Sequence, residues 1–176
     1  MADIAAAWRR AESVLQRRPG SGLNSDAPAT ARWEGGTRVV ATHANGAQLR
    51  TDMGVSLGGD GADVTPGWLL RASLATCTAT IVAMLAAVEG IELVSLEIAA
   101  CSQSDLRAVF AMKNPDGSPV DPLPQALTLH VRISAADSVP PARLRALVEE
   151  SFRRSPIVSA LLAPVPIELR IDCAAS

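Results

Sequence analysis

Hydrophobic residues at helical spacing mark both ends of the chain. In residues 1–18 they recur at three- and four-residue steps, at Ile4, Trp8, Ala11 and Leu15. Residues 140–154 have the same period, and Ser155-Pro156 then supply a capping side chain followed by a proline suited to a first helical turn. These patterns predict an amphipathic N-terminal helix, a second amphipathic helix over 140–154 and a short helix over 156–162.

A long apolar run in the middle of the chain predicts one helix of about 24 residues. Thr65 can cap its exposed amides, Pro66 fits its first turn, and Gly90 follows its last residue. One broad face is apolar, and alanines leave the opposite face nearly apolar as well, which is typical of a buried helix. The predicted core face consists of Leu69, Leu70, Leu74, Cys77, Ile81, Met84 and Leu85.

Alternating apolar and polar residues predict strands before and after this helix. Residues 31–53 contain two or three strands, with Asn45-Gly46 as the turn of a hairpin. Strands and helices that follow one another in this order indicate an α+β domain. Further strands are predicted over 91–100, 105–113, 125–134 and 165–172.

The composition is that of one globular domain. With 176 residues, 48% of them hydrophobic and 19% charged, the chain can form a sizeable core and a subunit interface, so a homodimer is compatible with it. The net charge is −2, and the basic residues are scattered in pairs without a long basic stripe. This distribution argues against nucleic-acid binding.

Neither a secretion signal nor a membrane span is predicted. Asp3 precedes the first arginines, the reverse of a signal peptide, and Arg71 interrupts the longest apolar run. The three cysteines, Cys77, Cys101 and Cys173, have no zinc or CxxC spacing, and an odd number does not suit a secreted disulfide framework. We therefore expect a soluble, cytoplasmic protein with reduced thiols.

The other motifs give little support for cofactor, metal or hydrolase chemistry. The glycine-rich stretch 54–63 lacks the lysine and serine or threonine of a phosphate-binding loop, and it is predicted to be a flexible connection. His43 and His130 stand alone in strand-like segments, without carboxylates at ligand spacing. The chain has no GxSxG motif. No cofactor or metal is therefore expected.

Cys77, in the sequence LRASLATCTATIVAML, is the remaining candidate for chemistry. It can be a small hydrophobic core residue, or a reactive thiol if another group stabilises its thiolate. Because Cys77 lies about three turns into the predicted helix, the helix dipole is weak there, and a stabilising group has to come from another element. The residue pattern leaves both interpretations open.

The stretch GGDGADVTPGWLLRASLATCTATIVAMLAAVEGIEL resembles the OsmC/Ohr family. Members carry a threonine- or serine-proline pair, a helical run of small and apolar residues, a cysteine eleven positions after the proline, and an alanine-rich end closing on glycine. Pro66, Cys77 and Gly90 keep that arrangement. ARWEGGTRVVATHANGAQLRTD and LVEESFRRSPIVSALL resemble family segments in the same order, so the similarity covers about residues 28–172.

The resemblance implies an intertwined α+β homodimer in which long central helices pack against antiparallel sheets. It divides the chain into an N-terminal helix and linker, 1–27, and an OsmC-like domain, 28–176. It also implies reduction of organic hydroperoxides by a cysteine that becomes a sulfenic acid, a second cysteine that forms a disulfide with it, and a dithiol reductant. By position, Cys77 matches the attacking thiol.

Three positions depart from the family pattern. Ser155 stands where the family commonly has its second cysteine, and Gly67 stands where it has a glutamate that helps to activate the thiol. The family's activating arginine is matched by Arg38, which is displaced by one position. Cys101 or Cys173 could replace the second cysteine, but the sequence places neither beside Cys77.

Two functions follow from these residues. In the first, the protein is a single-cysteine hydroperoxide reductase related to oxidative stress, with Cys77 and Arg38 as catalytic residues and an external thiol as the resolving reductant. In the second, the dimer has lost this chemistry and binds a small apolar ligand near Cys77. A structural dimer without a site is the third alternative.

Overall fold

The structure is a computed structural model that describes residues 3–163 and 165–173. Helix α1 spans Ile4–Arg17, and the carboxylate of Asp3 caps it by accepting a hydrogen bond of 2.9 Å from the amide of Ala6. The N-terminal helix predicted from the hydrophobic spacing is confirmed there. Residues 1–2 of the predicted helix lie outside the described residues.

A three-stranded antiparallel sheet follows α1. Its strands are β1 (Thr30–Trp33), β2 (Val39–Thr42) and β3 (Gln48–Thr51), and β2 lies between the other two. Gly46 has a φ of 88° in the turn between β2 and β3, a backbone conformation that favours glycine. The predicted hairpin is therefore confirmed.

The long helix α2 spans Pro66–Val88, as its capping residues predict. The hydroxyl of Thr65 accepts a hydrogen bond of 3.2 Å from the amide of Trp68. After α2, strands β4 (Leu93–Gln103) and β5 (Gln125–Ala135) pair as a two-stranded antiparallel sheet. One face of this sheet packs against α2.

Two helices complete the described fold. Helix α3 spans Pro141–Arg154 and helix α4 spans Pro156–Leu162. Ser155 lies between them and is both the C-cap of α3 and the N-cap of α4. Across residues 3–163 and 165–173, the chain thus forms four α-helices and two antiparallel sheets. This arrangement confirms the predicted α+β fold, with a long helix packed against antiparallel strands.

The hydrophobic core lies where α2 meets α3. Val82, Leu85 and Ala86 of α2 and Leu147 of α3 are each no more than 4% exposed. Side chains from β4, β5 and α1 pack around them, including Trp8 of α1. Burial of large aliphatic side chains contributes about 1.5–3 kcal/mol each, so this cluster helps to hold α2 in place.

The buried face of α2 differs from the predicted one. Leu74 and Leu85 are buried as expected, whereas Cys77 and Met84 are partly exposed and Thr78 is fully buried. Because α2 is apolar on nearly every side, hydrophobic period alone did not determine which face meets the core. Burial of Thr78 is tolerated because its hydroxyl donates to the carbonyl of Leu74 at 2.9 Å.

Two predicted strands are wrong in this chain. Residues 105–113 instead contain a short 3₁₀ helix, Leu106–Ala108, whose cap Asp105 accepts a hydrogen bond from the amide of Arg107 at 3.0 Å. Residues 165–172 form no helix or strand, and none of the described strands pairs with them. Alternation predicts an extended backbone, but it does not supply the neighbouring strand edge that a sheet requires.

Helix α2 is long and apolar enough to cross a membrane on length and composition alone. Core helices of soluble proteins satisfy the same criterion, so the criterion carries little weight. In this structure α2 contacts α1, β4, α3 and α4, and the guanidinium of Arg71 donates to the hydroxyl of Ser102 on β4 at 3.3 Å. These contacts are those of a core helix.

The glycine-rich stretch before α2 is tethered by a buried carboxylate. Asp52, only 1% exposed, accepts hydrogen bonds from the hydroxyl of Thr37 and from the amides of Met53 and Asp60, the latter two at 2.8 Å. A Cβ atom at Gly59 would lie 1.9 Å from the carbonyl oxygen of Met53, so only glycine fits. The predicted flexible connection is therefore a fixed loop, and Asp52 occupies amides that a phosphate would need.

The tether at Asp52 is expected to make stability depend on pH. The hydrogen bond from Thr37, reinforced by the amide of Asp60, lowers the pKa of Asp52. An unfolded aspartate has a pKa of about 3.9, so ionised Asp52 stabilises the fold above that pH, and the contribution is lost as pH falls through the lower folded pKa. Asp52→Asn should therefore lower Tm clearly at pH 7 and much less at pH 3.

Thermal unfolding followed by circular dichroism at both pH values tests this expectation. Asp26→Asn is the matched control, since Asp26 is exposed in the linker. Equal losses of Tm at pH 7 and pH 3 would show that the charge of Asp52 is not what holds the loop.

A second prediction concerns Gly67 in the first turn of α2. A Cβ atom there would lie 3.8 Å from Nη1 of Arg71, an ordinary contact, so a larger side chain fits. Gly67→Glu should stabilise the protein by about 1 kcal/mol, because it replaces a poor helix former, places a negative charge at the helix start and pairs with Arg71 one turn later. Tm should rise by about 2–4 °C.

Urea and thermal denaturation measure this gain. Gly67→Gln has about the same helix propensity as Gly67→Glu but adds no charge. It should therefore raise the free energy of unfolding by less, and its gain should not change with salt concentration. A loss of stability in both variants would contradict the open environment assigned to Gly67.

Candidate functional site

Cys77 and Ser155 are brought into contact although 78 residues separate them in the sequence. The hydroxyl of Ser155 donates a hydrogen bond to the sulfur of Cys77, with 3.3 Å between Oγ and Sγ. Ser155 is fully buried, whereas Cys77 is partly exposed. The site therefore consists of a reachable sulfur atom and a buried hydroxyl that faces it.

The position of Ser155 follows from the joint between α3 and α4. Its side chain caps α4 by accepting a hydrogen bond from the amide of Val158 at 3.3 Å, and its own amide donates to the carbonyl of Phe152 at 3.3 Å. Pro156 cannot continue the backbone hydrogen bonding of α3, so the chain turns at this residue. Both helices contact α2, which sets the hydroxyl beside Cys77.

Arg38 immediately precedes β2 and pairs with an acidic residue instead of with Cys77. Its guanidinium forms an exposed salt bridge of 2.8 Å with Asp60 in the tethered loop. Among the described residues, the hydrogen bond to the sulfur of Cys77 comes from Ser155, and no contact joins Arg38 to Cys77. An exposed ion pair of this kind contributes little to stability, about 0–1 kcal/mol. The catalytic role of Arg38 stays a prediction.

Of the other two cysteines, Cys101 points away from α2. From Leu96 to Cys101 the residues of β4 alternate between partly buried and exposed positions, and Cys101 is an exposed one, whereas Ser102 binds Arg71 of α2. Cys101 is accordingly exposed on the outer face of the sheet, opposite Thr128. It cannot form a disulfide with Cys77 without rearrangement of the sheet. Cys173 is exposed in the segment 165–173, which contains no helix or strand.

An apolar cavity of about 340 Å³ adjoins the pair. Leu74, one turn before Cys77, and Val158, whose amide binds Ser155, lie in its wall, while Cys77 and Ser155 themselves do not. The rest of the wall is also apolar and comes mainly from β5, α3 and α4: Leu127, Leu129, Phe152 and Leu161. An apolar molecule of modest size can occupy this space.

Two features of this region escaped the sequence analysis. Asp60 carries no motif that would pair it with Arg38, and the cavity combines residues from distant segments.

In residues 3–163 and 165–173, no cluster of three or more histidine, cysteine or acidic side chains is arranged to hold a metal ion.

The comparison with known families identifies the fold. A family model described as OsmC-like protein matches residues 59–170. No curated protein matches the sequence.

Several solved structures resemble this chain over most of its length. An OsmC-like protein from Mycoplasma pneumoniae has a TM-score of 0.63 at 16% identity, covering 81% of this chain and 91% of its own. An OsmC-like protein of unknown function from Vibrio cholerae has a TM-score of 0.62 at 14% identity, covering 78% and 94%. An organic hydroperoxide resistance protein OsmC from Legionella pneumophila has a TM-score of 0.55 at 21% identity, covering 79% and 90%.

At these identities the solved structures establish the fold alone, and the family match spans more than half of the chain. The match includes Pro66, Cys77, Gly90 and Ser155. The chain belongs to the OsmC-like family, as the spacing of its proline, cysteine and glycine predicted.

Proposed function

We propose that this protein reduces organic hydroperoxides with Cys77 as its reacting thiol and an external thiol as the resolving reductant. The observation that carries the proposal is the contact of 3.3 Å between the sulfur of Cys77 and the hydroxyl of Ser155. The resemblance implies that the family's two reacting cysteines stand at positions 77 and 155. These two positions are neighbours here, and position 155 holds a serine. Organic hydroperoxide resistance proteins among the structures of similar fold support the same class of reaction.

The reaction proceeds in balanced steps. The thiolate of Cys77 attacks the outer oxygen of the hydroperoxide, the O–O bond breaks, and the released alkoxide takes a proton to become an alcohol. Cys77 is left as a sulfenic acid. An external thiol then forms a mixed disulfide with Cys77 and releases water, and a second thiol releases Cys77 and leaves as part of a disulfide.

The residues around Cys77 support an external thiol. A serine hydroxyl cannot form a disulfide, and Cys101 lies on the far face of the sheet. Arg38 is the proposed cationic partner of the site. To act on Cys77 it would have to leave its salt bridge with Asp60, which is exposed and therefore weak.

Binding of a small apolar ligand is the second candidate function. The cavity of about 340 Å³ beside Leu74 and Val158 favours it. The absence of a carboxylate at Gly67 and of a thiol at Ser155 is also compatible with a site that only binds. In that case Cys77 is a structural residue one turn beyond Leu74 of the cavity wall and not a nucleophile.

We also propose that the functional unit is a homodimer located in the cytoplasm. Within one chain α2 buries only one of its apolar faces, and Ile167, Leu169 and Ile171 are each at least 71% exposed in the unpaired segment 165–173. Monomeric proteins seldom expose so much contiguous apolar surface, whereas a second copy of the chain would cover it.

Trapping of the sulfenic acid tests the reaction. One equivalent of an organic hydroperoxide, followed by dimedone, should label Cys77 alone, as measured by peptide mass spectrometry. Cys77→Ser should abolish the label, whereas the double variant Cys101→Ser with Cys173→Ser should retain it. An unlabelled Cys77 together with stabilisation by 1-decanol would instead select the apolar-ligand function.

The substitution Ser155→Cys should give the protein a resolving thiol of its own beside Cys77. The new thiol would lie close enough to condense with the sulfenic acid, so the dimedone label should disappear and a disulfide should form. Persistence of the label in this variant would contradict the assigned contact between the two positions.

The homodimer is tested by light scattering coupled to size-exclusion chromatography. The wild-type mass should be about twice the chain mass of 18.3 kDa. Ile167→Lys should weaken the dimer, because Ile167 is 94% exposed in one chain and has no role in its own core. Glu168→Lys is the control and should leave the dimer intact. A monomeric wild-type protein would contradict the proposal.

A further inference from the structure

We infer that the buried hydroxyl of Ser155 activates Cys77 by stabilising its thiolate. The hydroxyl lies 3.3 Å from the sulfur and is the donor of that hydrogen bond. This assignment rests on the proposed function, because it supplies the activating group for the same thiol. It makes Ser155 a catalytic residue that directly contacts the reacting atom, although it stands where related sequences carry a thiol.

The cap of α4 leaves the proton of the Ser155 hydroxyl available for the sulfur of Cys77. A serine hydroxyl has one proton to donate and lone pairs to accept with. The amide of Val158 can only donate, so it occupies a lone pair of Oγ. Cys77 is the other partner of this hydroxyl in the structure, and a thiolate there has no proton of its own, so Ser155 has to be the donor to it.

Burial makes this donor selective for the charged form of the thiol. Ser155 is fully buried, so water does not compete for its proton. Hydrogen bonds to an ionised acceptor are about twice as strong as those between neutral groups. The hydroxyl therefore stabilises a thiolate at Cys77 more than a thiol, in the middle of a helix where the dipole contributes little.

The arginines next to Ser155 in the sequence and the arginine of α2 are engaged elsewhere. Arg153 and Arg154 immediately precede Ser155, but both pair with Glu150 on the surface of α3. On α2, Arg71 binds Ser102 of β4. Among the described residues, none of these guanidinium groups contacts the sulfur of Cys77, which leaves the hydroxyl as its donor.

A hydroxyl donor also has a consequence for the reaction cycle. When Cys77 becomes a sulfenic acid, Ser155 is neither oxidised nor joined to it, so the donor survives each turnover unchanged. The sulfenic acid waits for an external thiol, which replaces the hydroxyl on sulfur and releases water. Activation and resolution are thus carried by separate molecules.

Alkylation by iodoacetamide, followed by mass spectrometry across pH, tests the inference without any peroxide. In the background Cys101→Ser with Cys173→Ser, Ser155→Ala should slow alkylation of Cys77 at pH 7 about tenfold. It should also displace the pH dependence of the alkylation rate to higher pH. Ser155→Thr keeps a hydroxyl and should retain most of the rate. Ser155→Gly removes the hydroxyl but disturbs a helix cap little, so it covers the case in which Ser155→Ala does not fold.

The matched control is Thr65→Ala, which removes a cap of the same kind from α2 without touching Cys77. Its pH profile should equal that of the wild type. If Ser155→Ala or Ser155→Gly leaves the profile unchanged, the hydroxyl is not the activating group, whatever the dimedone experiment shows. If the profile shifts but hydroperoxide leaves Cys77 unlabelled, the proposed peroxide reaction fails and the activation of Cys77 stands.

Discussion

The packing of α2 against α3 is the contact on which the rest of this structure depends. Val82, Leu85 and Ala86 of α2 close on Leu147 of α3, and together these side chains form the buried core cluster. This contact also fixes the end of α3, where the chain turns at Ser155 into α4. The hydroxyl therefore reaches Cys77 because the core sets the relative position of two helices, and not because of any local motif.

Local signals were enough for the helices and insufficient for two of the strands. Thr65, Pro66 and Gly90 delimit α2 through their own backbone chemistry, and the structure confirms both ends. A strand needs a neighbour as well as a pattern. Apolar and polar residues alternate over 105–113, but this stretch contains a short 3₁₀ helix instead. They also alternate over 165–172, but none of the described strands pairs with that stretch.

The candidate site shows the same division between local and distant information. Cys77 was identifiable through the resemblance to a family, because its interval to Pro66 is a short-range feature of one helix that the family pattern shares. Its contact with Ser155 spans 78 residues, and only the resemblance to a family indicated that the two positions belong together. The pair of Arg38 with Asp60 and the tether at Asp52 were missed, because side chains on different loops leave no periodic signal in the sequence.

Replacing a thiol by a hydroxyl at Ser155 separates two tasks that a second cysteine performs together. The serine keeps the structural task, since it caps α4 and fills the buried position beside the sulfur. It also keeps a proton to donate, which matters most when the acceptor is charged. It gives up disulfide formation, so reduction has to reach Cys77 from solvent. The partial exposure of Cys77 is consistent with that requirement, because an external thiol could not attack a fully buried residue.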